Sequence, residues 1–176
     1  VLYFDPIAPP EGSPKADIIF LTHGHPDHFM PEHLAAIAAE ETVIVSPSVL
    51  APKLKRFRTF PVEQGKEYSL GEIGFSTIAA YNLDYFAHPK KDGWVSYLVR
   101  VGNKRVLHCG DTDYVPELGD LGGLDLLLVP IAGGKLSMSS EDAARLAGDA
   151  KRIFVVPMHY ELGKGYPGRF ASIVDP

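Results

Sequence analysis

Cysteine is nearly absent from this sequence, with Cys109 standing alone. One thiol cannot build an intramolecular disulfide framework, and it fits a chain kept in a reducing compartment such as the cytoplasm. No apolar run approaches the ~20 residues that a membrane-spanning helix requires, so no membrane association is expected. Basic residues are the minority, 17 Lys and Arg against 22 Asp and Glu, for a formal net charge of −5. A nucleic-acid partner, which needs a basic face, is disfavoured on that balance. An initiating methionine is missing too: the chain opens on Val1-Leu2-Tyr3-Phe4, already a strand pattern. N-terminal strand residues before Val1 are therefore expected, and a signal peptide would lie among them, so the cytoplasmic assignment is a leaning.

What is present is the composition of a globular protein, 45% hydrophobic and 22% charged. At 176 residues the chain reads as a single domain over 1–176, long enough to bury a substantial core. Strands are expected at 1–4, 18–21, 42–45, 58–62, 66–70, 73–80, 94–99, 104–107, 124–129 and 152–156, with Gly102-Asn103 turning a hairpin. Helices are expected at 31–39, near 47–53 and at 139–148, where serines precede acids in capping order. The tail from 161 to 176 shows little pattern. Several strands are apolar without alternation, as expected where both faces are covered, which makes an α/β chain with a β-rich middle.

Function in such chains collects beyond the carboxyl ends of the strands. The run 18–21 ends in Thr22-His23-Gly24-His25-Pro26-Asp27-His28. Side chains two apart in extended chain point the same way, so His23 and His25 can grip one metal ion. Pro26 bends the path and turns Asp27 and His28 toward a second point. Neutral imidazole and carboxylate are ordinary ligands for zinc, iron or manganese. Later strand ends supply Asp111, in Cys109-Gly110-Asp111-Thr112, and His159, in Pro157-Met158-His159-Tyr160.

The pattern His-x-His-x-Asp-His after an apolar strand resembles the signature of the metallo-β-lactamase superfamily. With Asp5-Pro6, Ala80-Tyr81-Asn82 and His88-Pro89, the chain looks like its uncharacterised metal-dependent hydrolases, a group that includes ascorbate-6-phosphate-lactonase-like proteins. The resemblance runs from Asp5 to Tyr160. It implies an αββα four-layer sandwich, two mixed β-sheets flanked by helices, with a two-metal site at one edge of the sheets. His23 and His25 would bind the first ion, and Asp27, His28 and His159 the second, with Asp111 bridging. Many relatives take the remaining ligand from a Gly-His-x-x-Gly segment that is absent here, and that role is carried onto His88, against a reading as a loop histidine. The cofactors implied are two divalent ions, zinc before manganese or iron. Class B β-lactamases place a cysteine where this chain has Asp111, and they lack Asp27-His28, so antibiotic hydrolysis is disfavoured.

The chemistry implied is attack by a hydroxide activated between two ions on an ester-like, lactone or phosphate-ester bond. Asp27 and Asp111 would orient the nucleophile and relay its proton. Thr22 and Thr112 are candidates for hydrogen bonds that orient ligands. Lys135 and Tyr160 are candidate substrate contacts, Lys135 for an anionic group; Tyr81, Tyr85 and Phe86 are candidate walls. Trp94 and Cys109 read as core, His33 as solvated or capping, and the basic run 53–58 as a solvated face. Two alternatives remain within enzymes: a phosphodiesterase or nuclease acting on RNA or a cyclic nucleotide, and a mononuclear iron oxidoreductase. A diiron oxygen reductase is disfavoured because relatives of that kind carry Glu where this chain has His25. Outside enzymes, a structural metal module is disfavoured by the lack of cysteine ligands. The oligomeric state, a homo-oligomer included, is left open.

Overall fold

The computed structural model of the chain describes residues 1–84, 87–119, 121–150, 154–160 and 167–174. In chain order the elements are β1 (Leu2–Phe4), β2 (Ile18–Phe20), α1 (Pro31–Ile37), β3 (Val43–Pro47), β4 (Arg58–Val62), β5 (Glu67–Leu70) and β6 (Ile73–Ala79). There follow β7 (Val95–Val101), β8 (Lys104–His108), β9 (Leu126–Pro130), α2 (Ser140–Ala150), β10 (Phe154–Met158) and α3 (Pro167–Val174). The short helix expected near 47–53 is a 3-10 segment, Ser48–Lys53.

Two sheets lie face to face. The first has the order β1-β2-β3-β4 and is parallel throughout. The second has the order β10-β9-β8-β7-β6-β5, antiparallel from β5 to β8 and parallel from β8 to β10. The mixed character thus belongs to the second sheet.

Strand alternation explains the layers. On β2 and β3, Ile18, Phe20 and Val45 point inward, where they meet Phe75, Val95, Tyr97 and Val99 of the facing sheet. Ile19 and Ile44, with Leu21 just beyond β2, point outward onto Leu34 and Ile37 of α1. Both faces are covered, so these strands read as unbroken apolar runs. Each such side chain taken fully from water contributes roughly 1.5–3 kcal/mol. Across the second sheet, Leu107, Leu127 and Val129 pack on Ala143, Leu146, Ala147 and Ala150 of α2. The start of α2 follows its sequence signal: Ser139 Oγ accepts the Asp142 backbone N–H at 3.1 Å.

The tail differs from expectation. Residues 167–174 form α3, whose buried Phe170 joins the α2 core. Phe170, Ile173 and Val174 keep helical spacing over a single turn, too brief a pattern to stand out, and packing against α2 holds the helix. The first two residues of the strand expected over 152–156 lie outside the described residues, as do Tyr85 and Phe86.

Candidate metal centre

The site assembles where chain ends of both sheets meet. Tyr97, on β7, donates its hydroxyl to the Leu21 carbonyl at 2.9 Å, and the Val95 N–H reaches the Thr22 carbonyl at 3.1 Å. The segment before His23 is thereby tied to the facing sheet. The His25 carbonyl then accepts from both His28 N–H (3.0 Å) and Phe29 N–H (2.8 Å). This tight turn sends Asp27 and His28 to a different point from His23 and His25, as the proline suggested. Asp111 arrives through Gly110, which has φ +61°. A Cβ on Gly110 would sit 2.8 Å from Thr22 Cβ, so only glycine lets this turn approach the motif.

Two groups of ligand atoms result. His23, His25 and His88 form one, and Asp27, His28, Asp111 and His159 the other, with the donor atoms of each within 4.8 Å of one another. Asp111 reaches into both. Its Oδ2 is 3.9 Å from His23 Nε2, 3.7 Å from His88 Nε2 and 3.1 Å from His159 Nε2, and its Oδ1 is 3.3 Å from His28 Nε2. His159 Nε2 also lies 3.1 Å from Asp27 Oδ2. Ligand atoms on a tetrahedral ion at ~2.0–2.1 Å stand about 3.3–3.4 Å apart, which is the scale of these separations.

The outer nitrogens explain why the inner ones converge. Asp5, at the end of β1, accepts from the Thr22 N–H (2.8 Å), from Thr22 Oγ1 (2.5 Å) and from His28 Nδ1 (2.8 Å). Because the one hydroxyl proton of Thr22 goes to Asp5, His23 Nδ1 must donate to Thr22 Oγ1, at 2.9 Å. Asn82 gives its amide N–H groups to Asp113 Oδ1 and the Leu136 carbonyl, which leaves its Oδ1 to accept from His88 Nδ1 at 2.9 Å. In all three histidines Nδ1 donates outward and Nε2 is turned inward. His23 Nε2, His28 Nε2, His88 Nε2 and Asp111 Oδ1 are buried with no hydrogen-bond partner. Buried lone pairs left so cost free energy unless a cation meets them, and an all-His and Asp set suits a divalent ion. The residues therefore fit the metal that the sequence implies. Asp5 is also near His23 and His28, but its oxygens are occupied by hydrogen bonds and it acts as their orienter.

Ionisation differs across the site. Burial pushes His88 down to about 4, with the Asp111 charge opposing only part of the shift. Burial also takes His23 well below its ordinary range, with repulsion from neighbouring imidazoles adding to it. Burial disfavours a charged His28 too, yet the Asp111 and Asp5 carboxylates at its two nitrogens outweigh it and raise His28 to about 10. Burial raises Asp27, but the His159 hydrogen bond and the His28 charge leave it below the ordinary carboxylate value. Backbone strain is stored here as well: Asp5 (φ +40°) and His159 (φ +56°) are non-glycine residues in the left-handed region, at a cost of order 1–3 kcal/mol each.

A cavity of about 410 Å³ opens on the Asp27, His28 and His159 side, walled by Phe4, Ile7 and Tyr160 among others. Tyr160 is thus placed beside the site. Lys135 is exposed beyond the end of β9 and does not line this cavity. Thr112 differs from Thr22: its hydroxyl bonds the Tyr81 and Asp113 carbonyls and touches no candidate ligand. His33 stays apart, accepting the Ala8 N–H at 3.2 Å, and His108 is buried in a stack on Phe4. Trp94, expected in the core, instead lies half-buried against the rings of His23, His25 and His88. Asp5 and Asn82, which entered only as features of the family resemblance, acquire a role from these hydrogen bonds.

The model of the beta-lactamase superfamily domain matches residues 2–160. The chain belongs to that superfamily. It is 36% identical over 151 residues to a UPF0173 protein of Pyrococcus abyssi, covering 83% of this chain and 67% of that one. A UPF0173 metal-dependent hydrolase of Thermus thermophilus is 30% identical over 154 residues, covering 85% and 67%. A crystal structure assigned as a metal-dependent hydrolase from Parabacteroides distasonis superposes with a TM-score of 0.84 at 26% identity, over 98% of this chain and 79% of that one. Among the described residues no helix is long and apolar enough to cross a membrane.

Proposed function

We propose that the chain is a metal-dependent hydrolase with a dinuclear centre. His23, His25 and His88 would hold one divalent ion, Asp27, His28 and His159 the other, and Asp111 would bridge them. Zinc is the metal we put first. The substrate is a small anionic molecule with an ester-like, lactone or phosphate-ester bond. The supporting observation is the position of Asp111, whose two buried oxygens face four imidazole nitrogens drawn from both groups. Similarity to metal-dependent hydrolases supports the same reaction class.

Metal bound there would supply Lewis acidity toward the scissile group and an activated water near neutral pH. The chain's own residues do the rest. Asp27 is the exposed carboxylate of the set and faces the cavity, held anionic by His159 and His28. It is placed to orient an attacking water and accept its proton. Phe4 and Ile7 offer apolar wall, and Tyr160 a polar tip, to a substrate in the cavity. Lys135 is the proposed contact for a substrate anion reaching past the end of β9.

Elemental analysis of wild type and Asp111→Ala, paired with hydrolysis of a generic phosphodiester and a simple lactone, tests this reading. Close to two zinc or manganese ions per wild-type chain, lost with activity in the variant, is the expected result. One iron per chain without hydrolysis would overturn it in favour of oxidative chemistry, and no metal after reconstitution would leave a non-catalytic role.

A further inference from the structure

Metal-binding histidines are ordinarily oriented by a hydrogen bond from the ring nitrogen that does not face the metal. His23, His28 and His88 each have one, to Thr22, Asp5 and Asn82. His25, half-buried, has no ring hydrogen bond among the described residues, and His159 Nδ1 is likewise buried without a partner. What His25 meets is Trp94. The two rings lie 4.8 Å apart at 76°, an edge-to-face contact. The same indole lies 4.9 Å from His88 and 5.1 Å from His23. No ring contact links it to His28 or His159.

Trp94 is itself held in a rigid frame. Its carbonyl accepts the Ala80 N–H at 3.0 Å and Gln64 Nε2 at 2.9 Å, and the next residue, Val95, bonds the Thr22 carbonyl. The indole therefore stands in fixed relation to the segment that carries His23 and His25. We infer that Trp94 is the positioning residue of the His23–His25–His88 group, and that its ring contact does for His25 what hydrogen bonds do for His23 and His88. Without the indole, His25 is free to leave its rotamer, and ordering it again on metal uptake costs affinity at this half of the centre alone. The inference rests on the metal reading proposed above.

Cobalt(II) titration of metal-free wild type, Trp94→Ala and Trp94→Phe, followed by calorimetry and visible absorption, provides the test. Wild type is expected to take two equivalents. In Trp94→Ala one equivalent weakens by about tenfold or more, as loss of an outer partner does, while the other stays within twofold. Trp94→Phe, which keeps an aromatic edge, recovers most of the loss. Trp94 is the chain's one tryptophan, so its fluorescence gives a second reading in the intact protein. Quenching by the first group's cobalt should survive His159→Ala and vanish in His25→Ala. Two equivalents bound by Trp94→Ala with wild-type affinity would overturn the positioning role while leaving the metal reading intact. A uniform loss of both equivalents, unrescued by phenylalanine, would overturn it as a structural effect. No cobalt bound by wild type would overturn both.

Discussion

The two halves of the candidate centre both use imidazole and prepare it in opposite ways. The His23–His25–His88 half is all imidazole, walled by an indole, and oriented through neutral groups, Thr22 and Asn82. Burial outweighs the nearby Asp111 charge and keeps His88 neutral down to about pH 4. The Asp27–His28–Asp111–His159 half is rich in carboxylate and opens on the cavity, and its His28 is oriented through the charged Asp5. That environment raises His28 to about 10, so in the metal-free protein a proton occupies the nitrogen that faces Asp111. One half waits with lone pairs; the other must give up a proton before it can bind. An imidazole is thus a ready ligand or a competitor for its own site according to the charge behind it.

The largest test of this contrast removes what the halves share. Asp111→Ala is expected to lower the affinity of both halves and hydrolysis by more than a hundredfold, beyond the ~10–100-fold that loss of an outer partner costs. Loss of one equivalent only, by metal analysis, would break the idea of a shared carboxylate. Next in size is Asp5→Asn, expected to weaken the second half by roughly 10–100-fold. It also lowers the His28 pKa, since the Asp5 carboxylate is one of the groups that raise it.

A pH titration sharpens the comparison without mutation. Between pH 6 and 8 the second half should gain affinity as pH rises, by at most about tenfold per unit, because His28, with a pKa near 10, must lose its proton. His23 and His88 of the first half should add little pH dependence there, since both are already neutral. Calorimetry in buffers of different ionisation enthalpy would read the proton release. Equal pH dependence of both equivalents would erase the distinction. The smallest effect is expected at His33→Ala, outside both halves. It loses a hydrogen bond to the Ala8 N–H worth about 1 kcal/mol and leaves metal stoichiometry unchanged, by denaturant melts and metal analysis.

The sequence by itself determined the strands of the core and most of the candidate ligands. Ile18–Phe20 is buried on both faces and Leu126–Pro130 is buried or half-buried throughout, and such burial writes itself into composition as a continuous apolar run. His23, His25, Asp27 and His28 crowd one strand end, where spacing alone separates them into pairs. Asp111 and His159 were legible because each follows an apolar strand.

Other features were decided only in three dimensions. The hydrogen bond of Asp5 to His28, 23 residues away, joins two loops, and that of Asn82 to His88, six residues away, folds one loop back on itself. Trp94 looks like core at the head of a strand, and only the crossing of the two sheets sets it against three histidines. Thr22 and Thr112 are both threonines beside a ligand, and folding gave an orienting bond to Thr22 alone. Helix α3 carries its apolar period, Phe170, Ile173 and Val174, over one turn only, and packing of the buried Phe170 on α2 holds it. A sequence records what each residue needs from its own strand or turn, whereas orientation depends on partners from elsewhere in the chain, which only tertiary packing brings within reach.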